Sequence, residues 1–333
     1  MATSSHLEAE WTKLSGDDRL QRSSHGIAAS GNTVAVFGGE LVARQPRDNH
    51  LLLLSLDGKD TNVRTLQIAN APPPRVGAPL AELDGKLYLF SGRGGTAMAP
   101  IEENGAVWVY DFADSSWSLL GPSDSQRPVP PARSYHCTTS GEGLIFIHAG
   151  CPEQGRLSDL WSFEPATATW TQLPDAPGPP RGGPSIAYLD GSLYRMNGFD
   201  GKQEVGGALD HFDIKSGTWS TIHFAADGKT GPHPRSVGSL LALEVRGRPS
   251  LITMFGESDP SSLGHAGAGK MLDDVWVFDI ATQKWSLVHQ TDVTPQPRGW
   301  FTSTVDAQSS VLVVGGLGER NERVGDAWML SVR

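Results

Sequence analysis

The sequence is poor in cysteine, in positive charge and in long apolar runs, and each shortage removes a class of protein. Cys137 and Cys151 are the only cysteines, too few for a disulfide framework, and both read as packed thiols in a reducing compartment. Lys and Arg number 27 against 37 Asp and Glu, a formal net charge of −10. No concentrated basic surface is therefore on offer to neutralise phosphates, which excludes nucleic acid as the main partner. No apolar run is long enough to span a bilayer, so no membrane partner is expected, and the opening MATSSHLEAEWTKL has no apolar signal-peptide core. The expectation is a soluble, cytoplasmic protein whose ligand, if anionic, is held by a few local arginines against the overall field.

Turn formers, by contrast, are abundant. With 39 Gly, 23 Pro and 38% hydrophobic residues, the composition predicts many short strands joined by tight turns. Internal repetition then sets the architecture. VWVYDFADSSW, LWSFEPATATW, HFDIKSGTW and VWVFDIATQKW each end in a tryptophan (Trp117, Trp170, Trp219, Trp285) seven residues after an aromatic (Tyr110, Phe163, Phe212, Phe278). Each reads as a β-hairpin, two alternating apolar runs around small turn formers. Ahead of each lies a second pair of runs, such as GAPLAELDGKLYLFSG and FTSTVDAQSSVLVVGG. Four strands in about 50 residues make the unit.

This unit resembles the kelch repeat, with a glycine doublet after the second strand (Gly38-Gly39, Gly315-Gly316; Ser91-Gly92 and Ala149-Gly150 depart from it). Six units imply an all-β, six-bladed kelch β-propeller, one domain over residues 1–333. The last unit stops after DAWMLSVR, and EWTKL with Trp11 stands at the start of the chain. Residues about 9–16 are therefore expected to supply the outer strand of the C-terminal blade and close the ring.

In a four-stranded antiparallel blade, the loop after the second strand and the lead-in to the next blade emerge on one face. The loops carry Arg93, Arg156, Phe199, Glu257, Asp259 and His265; the lead-ins carry Arg133, Tyr135, Arg181, Arg235, Arg298 and Trp300. An arginine that recurs at every lead-in reads as structural in most units. Arg93 and Arg156 do not recur and read as functional, since guanidinium forks suit oxyanions. Glu257, Asp259 and His265 fall on the glycine-rich stretch GESDPSSLGHAGAG. Two carboxylates and an imidazole suit Fe(II), Mn(II) or Zn(II), and the absence of sulfur disfavours structural zinc. A merely polar, flexible lid is the rival reading of the same stretch.

LYLFSGRGG, PPARSYHC, GRLSDLWSF, PRGGPSIAYLDGSLYRMNGFDG, GPHPRSV, FGESDPSSLGHAGAG and QPRGWFTST together resemble one kelch group, the plant nitrile-specifier, epithiospecifier and thiocyanate-forming proteins. The resemblance implies an Fe(II)-dependent, non-redox lyase. Its substrates would be small anionic glucosinolate aglycones, thiohydroximate-O-sulfates, converted to nitriles, epithionitriles or thiocyanates. It places the metal on Glu257, Asp259 and His265, anion-holding roles on Arg93 and Arg156, and substrate contacts on Tyr135 and Trp300, with Arg133 and Phe199 beside them. One departure stands out: the group spaces its ligands E-x-x-x-D-x-x-x-H, whereas this chain reads E-x-D-x-x-x-x-x-H, leaving Ser261 where the acid would be. A non-catalytic kelch scaffold with a protein partner, an iron enzyme with another small substrate, and a homodimer all stay open.

Overall fold

The computed structural model describes residues 6–56, 61–264, 267–291 and 293–333. Among these, Asp18–Leu20 forms a short 3-10 turn, no α-helix occurs, and the strands dominate the regular structure. No helix is long and apolar enough to cross a membrane. Six sheets, each built on four antiparallel strands, are arranged as the blades of a propeller; the first and sixth carry one further short strand each, and a three-stranded and a two-stranded sheet stand apart from them. The innermost strands are Ser23–Ser30, Leu80–Leu83, Cys137–Gly141, Ser185–Leu189, Ser239–Val245 and Thr302–Val305. Each lies against the next, and the sixth lies against the first. Glu8–Ser15 pairs antiparallel with Ala327–Val332 as the fourth strand of the sixth blade.

The repeated aromatics explain why the outer hairpins form. Tyr110 is the direct cross-strand partner of Trp117, Phe163 of Trp170, Phe212 of Trp219 and Phe278 of Trp285. Their ring centroids lie 4.8 to 5.3 Å apart, the separation at which aromatic pairs add to simple burial. Trp11 faces Leu330 at the corresponding place. The first repeat lacks the tryptophan, and there Val63 faces Leu54. Six apolar clusters fill the gaps between successive blades, including the gap between sixth and first.

Two local devices then shape the face that matters. After each second strand, two successive residues take left-handed backbone conformations. The first is Gly38, Ser91, Ala149, Asn197, Phe255 or Gly315 and the second is always glycine, with φ between +84 and +114. A Cβ on the second would collide: at Gly256 it would sit 2.6 Å from the Ser236 carbonyl oxygen. The second position is glycine in every blade, whereas the first also takes Ser91, Ala149, Asn197 and Phe255; at Gly38 and Gly315 a Cβ would meet a carbonyl oxygen at 2.6 and 2.5 Å.

The second device is a closed ring of backbone hydrogen bonds round the channel. Gly77 N–H donates to Ser24 O, Tyr135 to Gly77, Gly183 to Tyr135, Val237 to Gly183, Trp300 to Val237 and Ser24 to Trp300, at 2.7 to 3.0 Å. All six residues have positive φ, from 48 to 63°. For valine, tyrosine and tryptophan this is a costly conformation, held because each member of the ring is fixed by two others.

Candidate functional site

The residue after each glycine doublet pairs with the residue after the lead-in arginine of its own blade. These pairs are Glu40 with Ser23, Arg93 with Val76, Cys151 with Ser134, Phe199 with Gly182, Glu257 with Ser236 and Leu317 with Gly299. Six structurally equivalent positions thus carry two acids, an arginine, a thiol, a phenyl ring and a leucine. All six line one cavity at the mouth of the channel, built as two chambers of about 170 and 120 Å³ that share Tyr135, Cys151, Arg156 and Trp300.

The lead-in arginines belong to the frame. Arg22, Arg75, Arg133, Arg181, Arg235 and Arg298 are buried. Each donates from Nη1 to the carbonyl of the first doublet residue, at 2.6 to 3.1 Å. Five also meet a carboxylate: Asp48, Glu103, Asp159, Asp274 and Asp326. In three blades that carboxylate also accepts from a tryptophan two residues on, Trp161, Trp276 or Trp328. This corrects the expectation for Arg133. Fully buried and held by both Asp159 oxygens at 2.6 and 2.7 Å, it does not line the cavity and is not available to a substrate. In the fourth blade Ala208 stands where the acid would be and Asp210 pairs with Arg195 instead. Burial, with Arg195 close by, lowers the Arg181 guanidinium to about 9.

Arg93 and Arg156 differ in kind. Among the described residues neither is paired with a carboxylate. Arg93 donates to Ser134 Oγ at 3.1 Å and to the carbonyls of Met98 and Pro152 at 3.0 and 3.2 Å. Arg156 lies over the Phe199 ring, 4.9 Å from its centroid, and its buried Nε has no partner. Both guanidinium groups act on the Cys151 thiol, although burial dominates and pushes that thiol up. Cys151 was expected to be a packed thiol; it is half-buried and forms part of the cavity wall, whereas Cys137 is buried. Tyr135 and Trp300 stand on the hydrogen-bonded ring and face both chambers. Burial pushes the Tyr135 phenol up to about 12, so it is a neutral hydroxyl at physiological pH.

The three expected metal ligands fare differently. Glu257 is buried in the cavity wall and accepts from Gly269 N–H at 2.6 Å; burial raises its carboxyl to about 7. Asp259 is exposed and does not line the cavity. The ladder that pairs this segment with Lys270 and Met271 is irregular between Glu257 and Asp259, and a bulge breaks the alternation that would keep residues two apart on one face. His265 lies outside the described residues. No group of three His, Cys, Asp or Glu able to hold a metal occurs among the described residues, which do not include His265.

Two cavity residues were not singled out by sequence. Glu40 and Arg323 are both buried and pair at 2.7 Å, the arginine arriving from the loop of the sixth blade, 283 residues away in the chain. Glu40 could have been found from its place after the doublet. Arg323 carries no local signal.

Comparison with known proteins agrees with this architecture. A family model described as the KLHDC2/KLHL20/DRC7 Kelch-repeats domain matches residues 24–256. An N-(sulfonatooxy)prop-2-enimidothioate sulfolyase from Thlaspi arvense is 28% identical, with 98% of each chain covered. Adagio-like protein 3 of Oryza sativa subsp. japonica is 26% identical over 97% of this chain, which spans half the length of that relative. A solved structure, that of YjhT, superposes with a TM-score of 0.71 over 94% of this chain and 97% of the other, at 17% identity, a likeness of fold alone.

Proposed function

The chain belongs to the kelch-repeat domain family, and from that premise we propose that its cavity is the active site of a specifier-type lyase. The substrate would be a small, anionic, sulfur-containing metabolite of the class named for the Thlaspi arvense sulfolyase, an O-sulfated imidothioate. One observation carries this reading: Arg93 and Arg156 share a cavity with aromatic walls and, among the described residues, have no carboxylate partner, in a protein where five of the six lead-in arginines are neutralised.

Two uncompensated guanidinium groups beside partly buried aromatics form an oxyanion site. Three of the N–H groups of Arg93 are spent on Ser134, Met98 and Pro152, which fixes its plane and leaves two for a ligand. Phe199 orients Arg156 from behind through its ring face. In elimination to a nitrile the N–O bond breaks with its electron pair leaving on the sulfate oxygen, while the C–S pair becomes the third C–N bond and the sulfur departs at the zero oxidation level. Negative charge grows there, where preorganised cations stabilise the transition state most. Trp300 and Tyr135 would hold the organic side chain.

The test is product analysis on an O-sulfated thiohydroximate released in situ. Parent protein is expected to shift the products away from uncatalysed breakdown, and Arg93→Ala and Arg156→Ala to lose that shift by at least tenfold while melting within a few degrees of the parent. Arg298→Ala is the structural control; breaking its buried pair with Asp326 should cost about 3–5 kcal/mol of stability. Products identical with and without the parent protein would overturn the reading and favour a non-catalytic binding module.

A further inference from the structure

Elimination to a nitrile leaves the sulfur atom without an acceptor. Cys151 is the thiol of the cavity wall, and it lines both chambers. Its backbone is fixed on Ser134, with N–H to O distances of 2.7 and 2.9 Å in the two directions. Arg93 grips the same frame, donating from Nε to Ser134 Oγ at 3.1 Å and from Nη2 to the carbonyl of Pro152, the next residue in the chain. Arg156 approaches through Gly182. A Cβ built on Gly182 would lie 2.5 Å from the Cys151 Sγ and 3.8 Å from the Arg156 Nε, so glycine leaves the thiol its room and both groups converge on one point. That Nε is buried and has no hydrogen-bond partner among the described residues. A buried, unpartnered cationic donor beside a thiol calls for an anionic ligand. The other cysteine, Cys137, lines neither chamber and donates to the His148 carbonyl at 3.6 Å.

We propose that Cys151 is a catalytic residue that accepts the sulfur atom of the substrate and carries it as a persulfide. The proposal rests on the lyase reading and completes its balance. The Cys151 sulfur attacks the thiolate sulfur of the O-sulfated substrate, and an S–S bond forms. The C–S pair becomes the third C–N bond, and the N–O bond breaks with its electron pair on sulfate, which takes up the thiol proton and passes it to water. The two sulfurs together lose two electrons and the nitrogen gains them. A dianionic thiohydroximate-O-sulfate and a cysteine thiol thus give a nitrile, hydrogen sulfate and a cysteine persulfide anion. Burial pushes the thiol up, so it enters with its proton, and the guanidinium groups of Arg93 and Arg156 stabilise the charge that leaves and the persulfide that stays. An external low-molecular-weight thiol then attacks the outer sulfur, which restores Cys151 and carries the sulfur away as a new persulfide.

The probe is an O-sulfated thiohydroximate released in situ in buffer free of small thiols, followed by mass spectrometry of the protein and its peptides. The peptide that carries Cys151 should gain the mass of one sulfur atom, removable by added thiol, while the Cys137 peptide stays unchanged. Nitrile formation should stall after about one turnover per chain and resume at least tenfold faster when a small thiol is added, the burst expected of a covalent intermediate. Cys151→Ser, close in size, should lose nitrile formation at least tenfold while melting within a few degrees of the parent. The mass label on the parent tests the acceptor whether or not that variant folds. A parent that forms nitrile with Cys151 unlabelled, or Cys151→Ser forming it at the parent's rate, would overturn this inference and leave the lyase reading standing. A parent that alters no product would overturn both.

Discussion

At the scale of single residues, the protein uses one side-chain type in two opposed ways. Arginine at the lead-in positions is buried, forked onto a carboxylate and a backbone carbonyl, and structural. Arginine at positions 93 and 156 is held by neutral groups and lines the cavity, without a carboxylate partner among the described residues. Buried histidine gives a prediction of its own. His25 and His136 are buried beside Arg22 and Arg133, and both effects lower them to about 3. The unfolded chain takes up protons at these sites below about pH 6.5, while the folded chain does not until about pH 3. Each site therefore makes the fold less stable as pH falls through that window. Phe301 occupies the place of His136 in the sixth blade, so His136→Phe fits the repeat. Chemical denaturation at pH 7.5 and 4.5 should show the acid-induced loss reduced by roughly 2–3 kcal/mol in His136→Phe.

At the scale of elements, the left-handed pair after each second strand turns the chain back so that its next residue meets the lead-in of its own blade. Those next residues, Glu40, Arg93, Cys151, Phe199, Glu257 and Leu317, line the cavity. The two places of the pair should respond differently to substitution. Gly256→Ala puts a Cβ 2.6 Å from the Ser236 carbonyl at a φ of +99° and should cost about 2 kcal/mol or more. Ala149→Gly, at the first place of its pair with φ +59°, should change stability by less than about 1 kcal/mol in either direction. Thermal melts of the two variants measure the contrast. The same turn explains how much of this face is legible: a doublet ending in glycine marks the position of Glu40 and Leu317 as clearly as that of Arg93, but sequence reasoning looks for chemistry in charged residues and passes over a leucine.

At the scale of the molecule, the ring is held by contacts of very long sequence separation. Trp11 is 5% exposed, stacks on Phe255 at 5.6 Å and donates from Nε1 to Gln290 at 2.8 Å, so it ties the first strand to both the fifth and sixth blades. Trp11→Ala should cost about 3–5 kcal/mol and lower the single melting transition as a whole, because every blade packs against two others. A variant that instead lost only local signal near the sixth blade would show the ring to be less cooperative than its continuous packing requires.

The sequence by itself determined the strands, their hairpins, the number of blades and the contrast between recurring and non-recurring arginines, because these depend on periodicity and on backbone conformations encoded within a few residues. Only the tertiary structure decided which side chains meet. It buried Arg133 on Asp159, drew Cys151 into the cavity wall, paired Arg323 with Glu40 and turned Asp259 outward through a ladder irregularity. The Arg133–Asp159 pair and the ladder irregularity are set within single blades by contacts between separate strands, whereas the Arg323–Glu40 pair and the shared cavity wall depend on ring closure, which sets neighbours that no local stretch of chain can specify.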